Sequence, residues 1–232
     1  MDALKRLLSK STMIRLGSGI ILVAAAIITV HLGGDVLFAT CLIVSLAGAY
    51  ELFKTAKLQG SIIGICGYIS IFCYYMLIRF AGASKWVISL LIVTLVMLFF
   101  VYVFSYPKIK LSEITLIMFA IIYVGIMFSY LYKVRKAPDG RYVVWLIFLS
   151  SWGCDTCAYI AGVMFGKHKM SPILSPKKTI EGAVGGILGS CLISFIYAIF
   201  VEDRIHMHGN ARLIFVVSCF ISALFSMLGD LT

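Results

Sequence analysis

The chain has 232 residues, of which 13% are charged and 62% are hydrophobic, and its formal net charge is +10. Soluble domains carry about 25% charged residues, so this composition excludes an ordinary soluble protein and predicts an integral membrane protein. The lysines and arginines are spread over short loops rather than along one stripe. This distribution argues against nucleic acid as a partner and favours anionic membrane lipids.

Eight apolar segments are long enough to cross a bilayer, which takes about 20 residues. They lie at about residues 14–31, 36–53, 61–79, 86–106, 113–132, 142–164, 180–201 and 211–229. These runs are too long and too uninterrupted for the strands of a membrane barrel. We therefore expect an all-α fold, a polytopic transmembrane bundle of about eight helices, in a single integral membrane domain over residues 1–232.

The distribution of cations among the loops predicts the orientation in the membrane. With a cytoplasmic N-terminus, twelve lysines and arginines lie on the inside and eight on the outside. The cluster from Lys133 to Arg141 falls on the outside and argues against this topology. We nevertheless expect a multi-pass protein of the cell membrane in which the loop from Gly166 to Thr179 faces the cytoplasm.

Asp155 lies well inside the sixth apolar segment, where a carboxylate costs a few kcal/mol. Intramembrane acids usually mark functional sites, although a structural pair with a lysine is the alternative. Tyr159 and Gly162 follow one and two turns later on the same helix face, which predicts a lined cleft beside the carboxylate. The adjacent Cys154 and Cys157 lack a second ligand pair, so we expect them to pack as small hydrophobic side chains.

A loop rich in cations, "FGKHKMSPILSPKKTIEG", connects the sixth and seventh segments. Its lysines are Lys167, Lys169, Lys177 and Lys178. A solvated cytoplasmic loop is one interpretation. However, Ser175 before Pro176 is typical of an N-cap followed by proline at the first helical position, which predicts that the second lysine pair begins a helix. Ser175, Thr179 and the free amides of that helix could then bind a phosphate.

Three features of the following segments bear on such a site. Gly182, Gly185, Gly186 and Gly189 form overlapping GxxxG pairs, which predict close packing against a neighbouring helix. Glu181 has the helical spacing to neutralise Lys177 or Lys178, and a metal role is the less favoured alternative. Asp230 ends the last segment, and with Asp155 it could hold a divalent cation, because Mg²⁺ takes one or two carboxylates plus substrate phosphates.

The stretch "CDTCAYIAGVMFGKHKMSPILSPKKTIEGAVGG", followed by "SMLGDLT", closely resembles the phosphatidate cytidylyltransferase family, also called CDP-diacylglycerol synthases. That family's pattern runs D-T-x-A-Y, F-G-K-H, S-P-K-K-T-x-E-G-x-x-G-G and then G-D-L-x-E-S. The resemblance covers roughly the last third of the chain in order and spacing. It implies that residues 1–140 supply N-terminal transmembrane helices and that residues 141–232 form part of a catalytic core.

The resemblance implies transfer of a cytidylyl group from CTP to phosphatidic acid, which gives CDP-diacylglycerol and pyrophosphate in phospholipid biosynthesis. It also implies Mg²⁺ as the cofactor and leaves a homodimer open. The catalytic residues would be Asp155, Lys167, Lys178 and Asp230, and the metal ligands Asp230 and Asp155. The substrate-binding residues would be Ser175, Lys177, Thr179, Glu181 and Tyr159.

The sequence departs from the family pattern at its end. The pattern continues with E-S-x-x-K-R, K-D and P-G-H-G-G-x-x-D-R-x-D, which includes a further metal-binding aspartate, whereas the sequence stops at Thr232. We therefore expect residues 1–232 to be an incomplete, inactive fragment. The main alternative function is a secondary transporter or ion-coupled carrier, which would require inverted repeats that are not visible in the sequence. A related enzyme acting on another lipid phosphate is a third hypothesis.

Overall fold

Eight helices follow one another in the computed structural model, which describes residues 10–80, 86–171, 175–206 and 209–229. The first four helices are α1 (Lys10–Leu32), α2 (Gly34–Thr55), α3 (Ile62–Phe80) and α4 (Val87–Ser105). The last four are α5 (Leu111–Lys136), α6 (Gly140–Phe165), α7 (Ile180–Arg204) and α8 (Ala211–Gly229). Two short strands, β1 (Lys169–Ser171) and β2 (Ser175–Thr179), lie between α6 and α7.

Seven of the described helices, α2 to α8, are long enough and apolar enough to cross a membrane. Helix α1 has a shorter apolar stretch, Gly19–Leu32. The prediction of an all-α fold with about eight helices is therefore confirmed, and seven of the described helices could span a membrane by length and composition. Most boundaries agree within a few residues, because the change from apolar to polar sequence sets the end of each span. The largest difference is in α5, which extends from residue 111 to residue 136 instead of from 113 to 132.

Residues 1–133 form one compact unit, in which hydroxyl pairs join different helices. Ser45 of α2 and Tyr75 of α3 share a hydrogen bond of 2.8 Å between their hydroxyl oxygens. Tyr74 of α3 and Ser129 of α5 share another of 2.7 Å. All four side chains are buried, and polar groups at membrane depth need such partners because lipid tails offer none.

A π-helical segment, Ile121–Met127, interrupts the α-helical geometry of α5. Within it the carbonyl of Val124 accepts a hydrogen bond of 3.2 Å from the Ser45 hydroxyl. Gly125 lies against Ile71 of α3, so closely that a β-carbon at this glycine would be 3.1 Å from Ile71 Cγ1. The hydropathy of the sequence does not distinguish this wider turn from an ordinary α-helix.

Residues 134–232 form a second compact unit built mainly from α6, α7 and α8. Its core contains Leu146 of α6 and Ala198 of α7, packed with Phe215 and Cys219 of α8. A further link comes from Tyr197, whose hydroxyl donates to the carbonyl of Tyr142 at 2.9 Å. The single integral membrane domain expected from the sequence stays a prediction.

The predicted start of the seventh helix at Ser175 is wrong. Residues Ser175–Thr179 form strand β2, which pairs antiparallel with β1 through Lys169 opposite Thr179 and Ser171 opposite Ser175. Helix α7 begins only at Ile180. A residue before proline favours extended backbone, and both strands of a two-stranded ribbon are edges that tolerate proline, so the Ser-Pro pair fits a strand as well as it fits a helix start.

Candidate active site

A cleft of about 390 Å³ opens in the unit formed by residues 134–232. Its walls come from α6, α7, the β-hairpin and the end of α8. The predicted site residues Asp155, Tyr159, Lys178 and Thr179 all line it, as does Gly162. The cleft that the sequence predicted beside Asp155 is therefore present, and the predicted residues that line it come from helix α6 and strand β2.

The helical spacing of Asp155, Tyr159 and Gly162 explains why one wall carries all three residues. Tyr159 is 74% exposed, so its ring stands at the open side of the cleft. Apolar side chains that the sequence had not singled out complete the lining, among them Val163 and Met227. The cleft thus offers a carboxylate and an ammonium group within mostly apolar walls.

The opposite wall is close because α6 and α7 touch through small residues. A β-carbon at Gly182 would lie 2.8 Å from the Ala158 carbonyl oxygen, and one at Gly185 would overlap the Ala161 β-carbon. Cys154 and Cys157 contribute to the same contact, against Gly186 and Gly189 respectively. The predictions of close GxxxG packing and of packing cysteines are confirmed.

Thr179 forms the junction between strand β2 and helix α7. Its hydroxyl accepts a hydrogen bond of 3.1 Å from the Gly182 N–H, so Thr179, and not Ser175, is the N-cap. Lys178 immediately precedes this cap and is half-buried. The lysine is consequently held by strand geometry at the N-terminal end of a helix, instead of within the first helical turn.

The remaining predicted site residues lie beside the cleft or outside the described structure. Lys167 follows α6 and is exposed, Ser175 begins β2, and Glu181 is in the first turn of α7. The side chain of Lys177 and the whole of Asp230 lie outside the described part of the chain.

Glu181 contacts the far side of the loop. Its carboxylate accepts backbone hydrogen bonds from Lys167 at 3.1 Å and from His168 at 3.2 Å. It also lies 2.6 Å from the imidazole Nδ1 of His168. Spacing along the helix pointed to Lys177 or Lys178 as a partner, and it could not indicate a histidine thirteen residues earlier.

The residues that line the cleft are compatible with a magnesium ion, since hard carboxylate oxygens are its preferred ligands and substrate phosphates complete its shell. Asp155 supplies one such carboxylate. Within residues 10–80, 86–171, 175–206 and 209–229, no group of three or more acidic, histidine or cysteine side chains could hold a metal by itself. A bound ion would therefore need further ligands, such as substrate phosphates.

Comparison with known proteins indicates the family of this chain. The sequence profile of the cytidylyltransferase family matches residues 13–232. Similar relatives include proteins named phosphatidate cytidylyltransferase from Staphylococcus haemolyticus, 30% identical over 204 residues, and from Staphylococcus epidermidis, 32% identical over 203 residues. In both cases the match covers 86% of this chain and 75% of the relative. The chain therefore belongs to the cytidylyltransferase family and is a nucleotidyltransferase enzyme.

Proposed function

We propose that the protein transfers a cytidylyl group from CTP to phosphatidic acid and releases pyrophosphate. The observation that carries the proposal is that Asp155 of α6 and Lys178, just before α7, line the same cleft. The relatives named phosphatidate cytidylyltransferase support the choice of substrates. The product would be CDP-diacylglycerol, an intermediate of phospholipid biosynthesis.

The reaction is a displacement at the α-phosphorus of CTP. A phosphate oxygen of phosphatidic acid forms a bond to this phosphorus while the bond to the β-phosphate oxygen breaks, and pyrophosphate leaves with the electron pair. The protein's task is mainly to position two anions and to neutralise their charge. Lys178 brings a cation to the cleft, and Lys167, Lys177 and Ser175 on the adjacent loop would contact the phosphates beside it.

The first turn of α7 also favours a site that binds substrate phosphates. Helix N-termini attract phosphates through free N–H groups and the helix dipole. The Gly182 N–H already donates to the Thr179 hydroxyl, so the other free amides of the first turn would donate to a phosphate. Asp155 and Asp230 would hold Mg²⁺, which supplies charge neutralisation on the pyrophosphate leaving group.

The apolar lining of the cleft fits a lipid substrate. Val163 and Met170 contribute to this lining, and Tyr159 lies at its open side. A phosphatidic acid molecule could keep its acyl chains in the bilayer while its phosphate reaches Lys178. The loop would face the cytoplasm, where CTP is present, in agreement with the excess of cations on the predicted inner side.

The test is a CTP turnover assay in detergent with phosphatidic acid and Mg²⁺, on residues 1–232 and on the chain extended through its downstream reading frame. Lys178→Ala and Asp155→Asn should each lower turnover by about 10²-fold or more. Two matched controls, Lys108→Ala and Asp203→Asn, remove exposed charges from other loops and helix ends and should leave turnover unchanged.

Lack of turnover in both forms of a folded protein would contradict the proposal, and solute flux without CTP consumption would favour the transporter. The expectation that residues 1–232 are an inactive fragment stays a prediction, which the shorter form tests. Size-exclusion chromatography with light scattering in detergent would test the homodimer.

A further inference from the structure

Three donors converge on one carboxylate at the base of the cationic loop. The Glu181 side chain at the start of α7 accepts from the backbone N–H groups of Lys167 and His168 and pairs with the imidazole of His168. Helix α6 ends at Phe165, so these contacts join the end of one membrane helix to the beginning of the next. We call Glu181, Lys167 and His168 the loop clamp.

Other contacts fasten the same base of the hairpin. The Ile180 N–H donates to the His168 carbonyl at 3.0 Å, and Lys169 pairs with Thr179 across the hairpin. Gly166 lies against the Thr179 side chain, where a β-carbon would be 2.9 Å from the hydroxyl oxygen. The base of the hairpin is thus fastened by both backbone and side-chain bonds.

An acidic residue in the first turn of a helix can simply interact with the helix dipole. The loop clamp does more, because the carboxylate bridges two separate segments and satisfies backbone donors as well as a side chain. Glu181 is only 25% exposed, although its histidine partner is 75% exposed. By comparison, the contacts between Glu202 and Arg212 at the other end of α7 join side chains alone.

The loop clamp affects the position of Lys178, which is one residue before the Thr179 cap. Its place in the cleft with Asp155 depends on where strand β2 enters α7, and the loop clamp fixes that entry. Loss of the carboxylate would leave the amides of Lys167 and His168 without this acceptor and would loosen the base of the hairpin. The cation could then sample positions away from the cleft.

We propose that Glu181 and His168 are positioning residues that hold the hairpin so that Lys178 meets the substrate phosphates. This inference rests on the proposed function, and it gives Glu181 a role other than direct substrate binding. Neither side chain lines the cleft, whereas Lys178 and Met170, one from each strand of the hairpin, do.

A double-mutant cycle separates positioning from direct contact. With radiolabelled CTP, Glu181→Ala should lower kcat/KM by about tenfold or more, since small misplacements of catalytic groups have effects of this size or larger. In a Lys178→Ala background the same change should lower kcat/KM by less than about twofold, because Glu181 acts through that lysine. Glu202→Ala, the matched control at the other end of α7, should leave kcat/KM unchanged.

Hydrogen exchange measured by mass spectrometry gives a readout that does not depend on turnover. Glu181→Ala should accelerate exchange of the amides at Lys167 and His168 while exchange within α6 and α7 stays as in the wild type. Glu181→Gln keeps an acceptor for one amide and should have an intermediate effect in both assays. If Glu181→Ala does not fold, Glu181→Gln replaces it in both assays.

The outcomes distinguish this inference from the proposed function. If the folded wild type shows no CTP turnover either as residues 1–232 or as the extended chain, both the proposed function and this inference are contradicted. If the wild type turns over CTP and neither Glu181→Ala nor Glu181→Gln changes the rate, the positioning role of the loop clamp is contradicted and the proposed function stands. Effects of Glu181→Ala and Lys178→Ala that multiply independently would show that Glu181 acts on the substrate itself.

Discussion

Replacing Gly185 by alanine should destabilise the protein through a single methyl group. The added β-carbon would overlap that of Ala161 and would lie 3.7 Å from the Cys157 carbonyl oxygen. A clash with another β-carbon cannot be relieved by rotating a side chain, so the backbones of α6 and α7 must separate. Overpacking of this kind costs about 1–3 kcal/mol, which for a chain of this length lowers Tm by about 2–12 °C.

The compensating change is Ala161→Gly, which removes the atom that the new methyl group meets. The exchange Gly185→Ala with Ala161→Gly transfers one methyl group across the interface. The remaining contacts of the new β-carbon, 3.7 Å to the Cys157 carbonyl oxygen and 3.8 Å to the α-carbon of residue 161, are ordinary van der Waals distances. We expect the double variant to recover at least about 1 kcal/mol relative to the sum of the two single changes.

Thermal unfolding in detergent, followed by intrinsic fluorescence, measures each variant against the wild type. Gly19→Ala is the matched control, because a β-carbon added at Gly19 in helix α1 would meet no atom within 4 Å. The control should be neutral or stabilising by up to about 1 kcal/mol, owing to the better helix propensity of alanine. A double variant no more stable than Gly185→Ala alone would refute the close contact described here.

Three further substitutions, measured by the same unfolding assay, compare how much individual contacts contribute to stability. Thr179→Ala removes the N-cap of α7 and should cost about 1 kcal/mol, whereas Thr179→Ser should restore most of it; equal stabilities of the two would contradict the cap. Tyr75→Phe removes the hydroxyl bonded to Ser45 and should cost about 1 kcal/mol, and adding Ser45→Ala should cost less than it does in the wild type. Asp35→Asn breaks an exposed ion pair with Arg79 and should change stability by less than about 1 kcal/mol, a difference that 1 M salt should abolish.

The membrane helices were predictable because hydropathy over about 20 residues reports directly on membrane insertion. The glycine contact was predictable as well, since spacing by four residues places small residues on one helix face. The helix face that carries Asp155 and Tyr159 followed from the same periodicity, and both residues line the cleft.

The hydrogen-bond partners in the hairpin and at the start of α7 were not predictable. Ser175 and Thr179 are both good N-cap residue types, and only pairing with β1 decides that Thr179 takes this role. The partner of Glu181 was missed because helical spacing considers only neighbours three or four residues away. His168 was visible within the F-G-K-H motif, but nothing in its local sequence indicated contact with a carboxylate thirteen residues later.

The hydrogen bond between Ser45 and the Val124 carbonyl has a consequence for biogenesis. The two residues are 79 positions apart, and Ser45 leaves the ribosome first. Helix α5 therefore enters a membrane in which the donor for its π-helical segment is already synthesised. A segment that would expose polar backbone to lipid can be accommodated as soon as it meets α2, so the order of synthesis matches the order in which the two groups are needed.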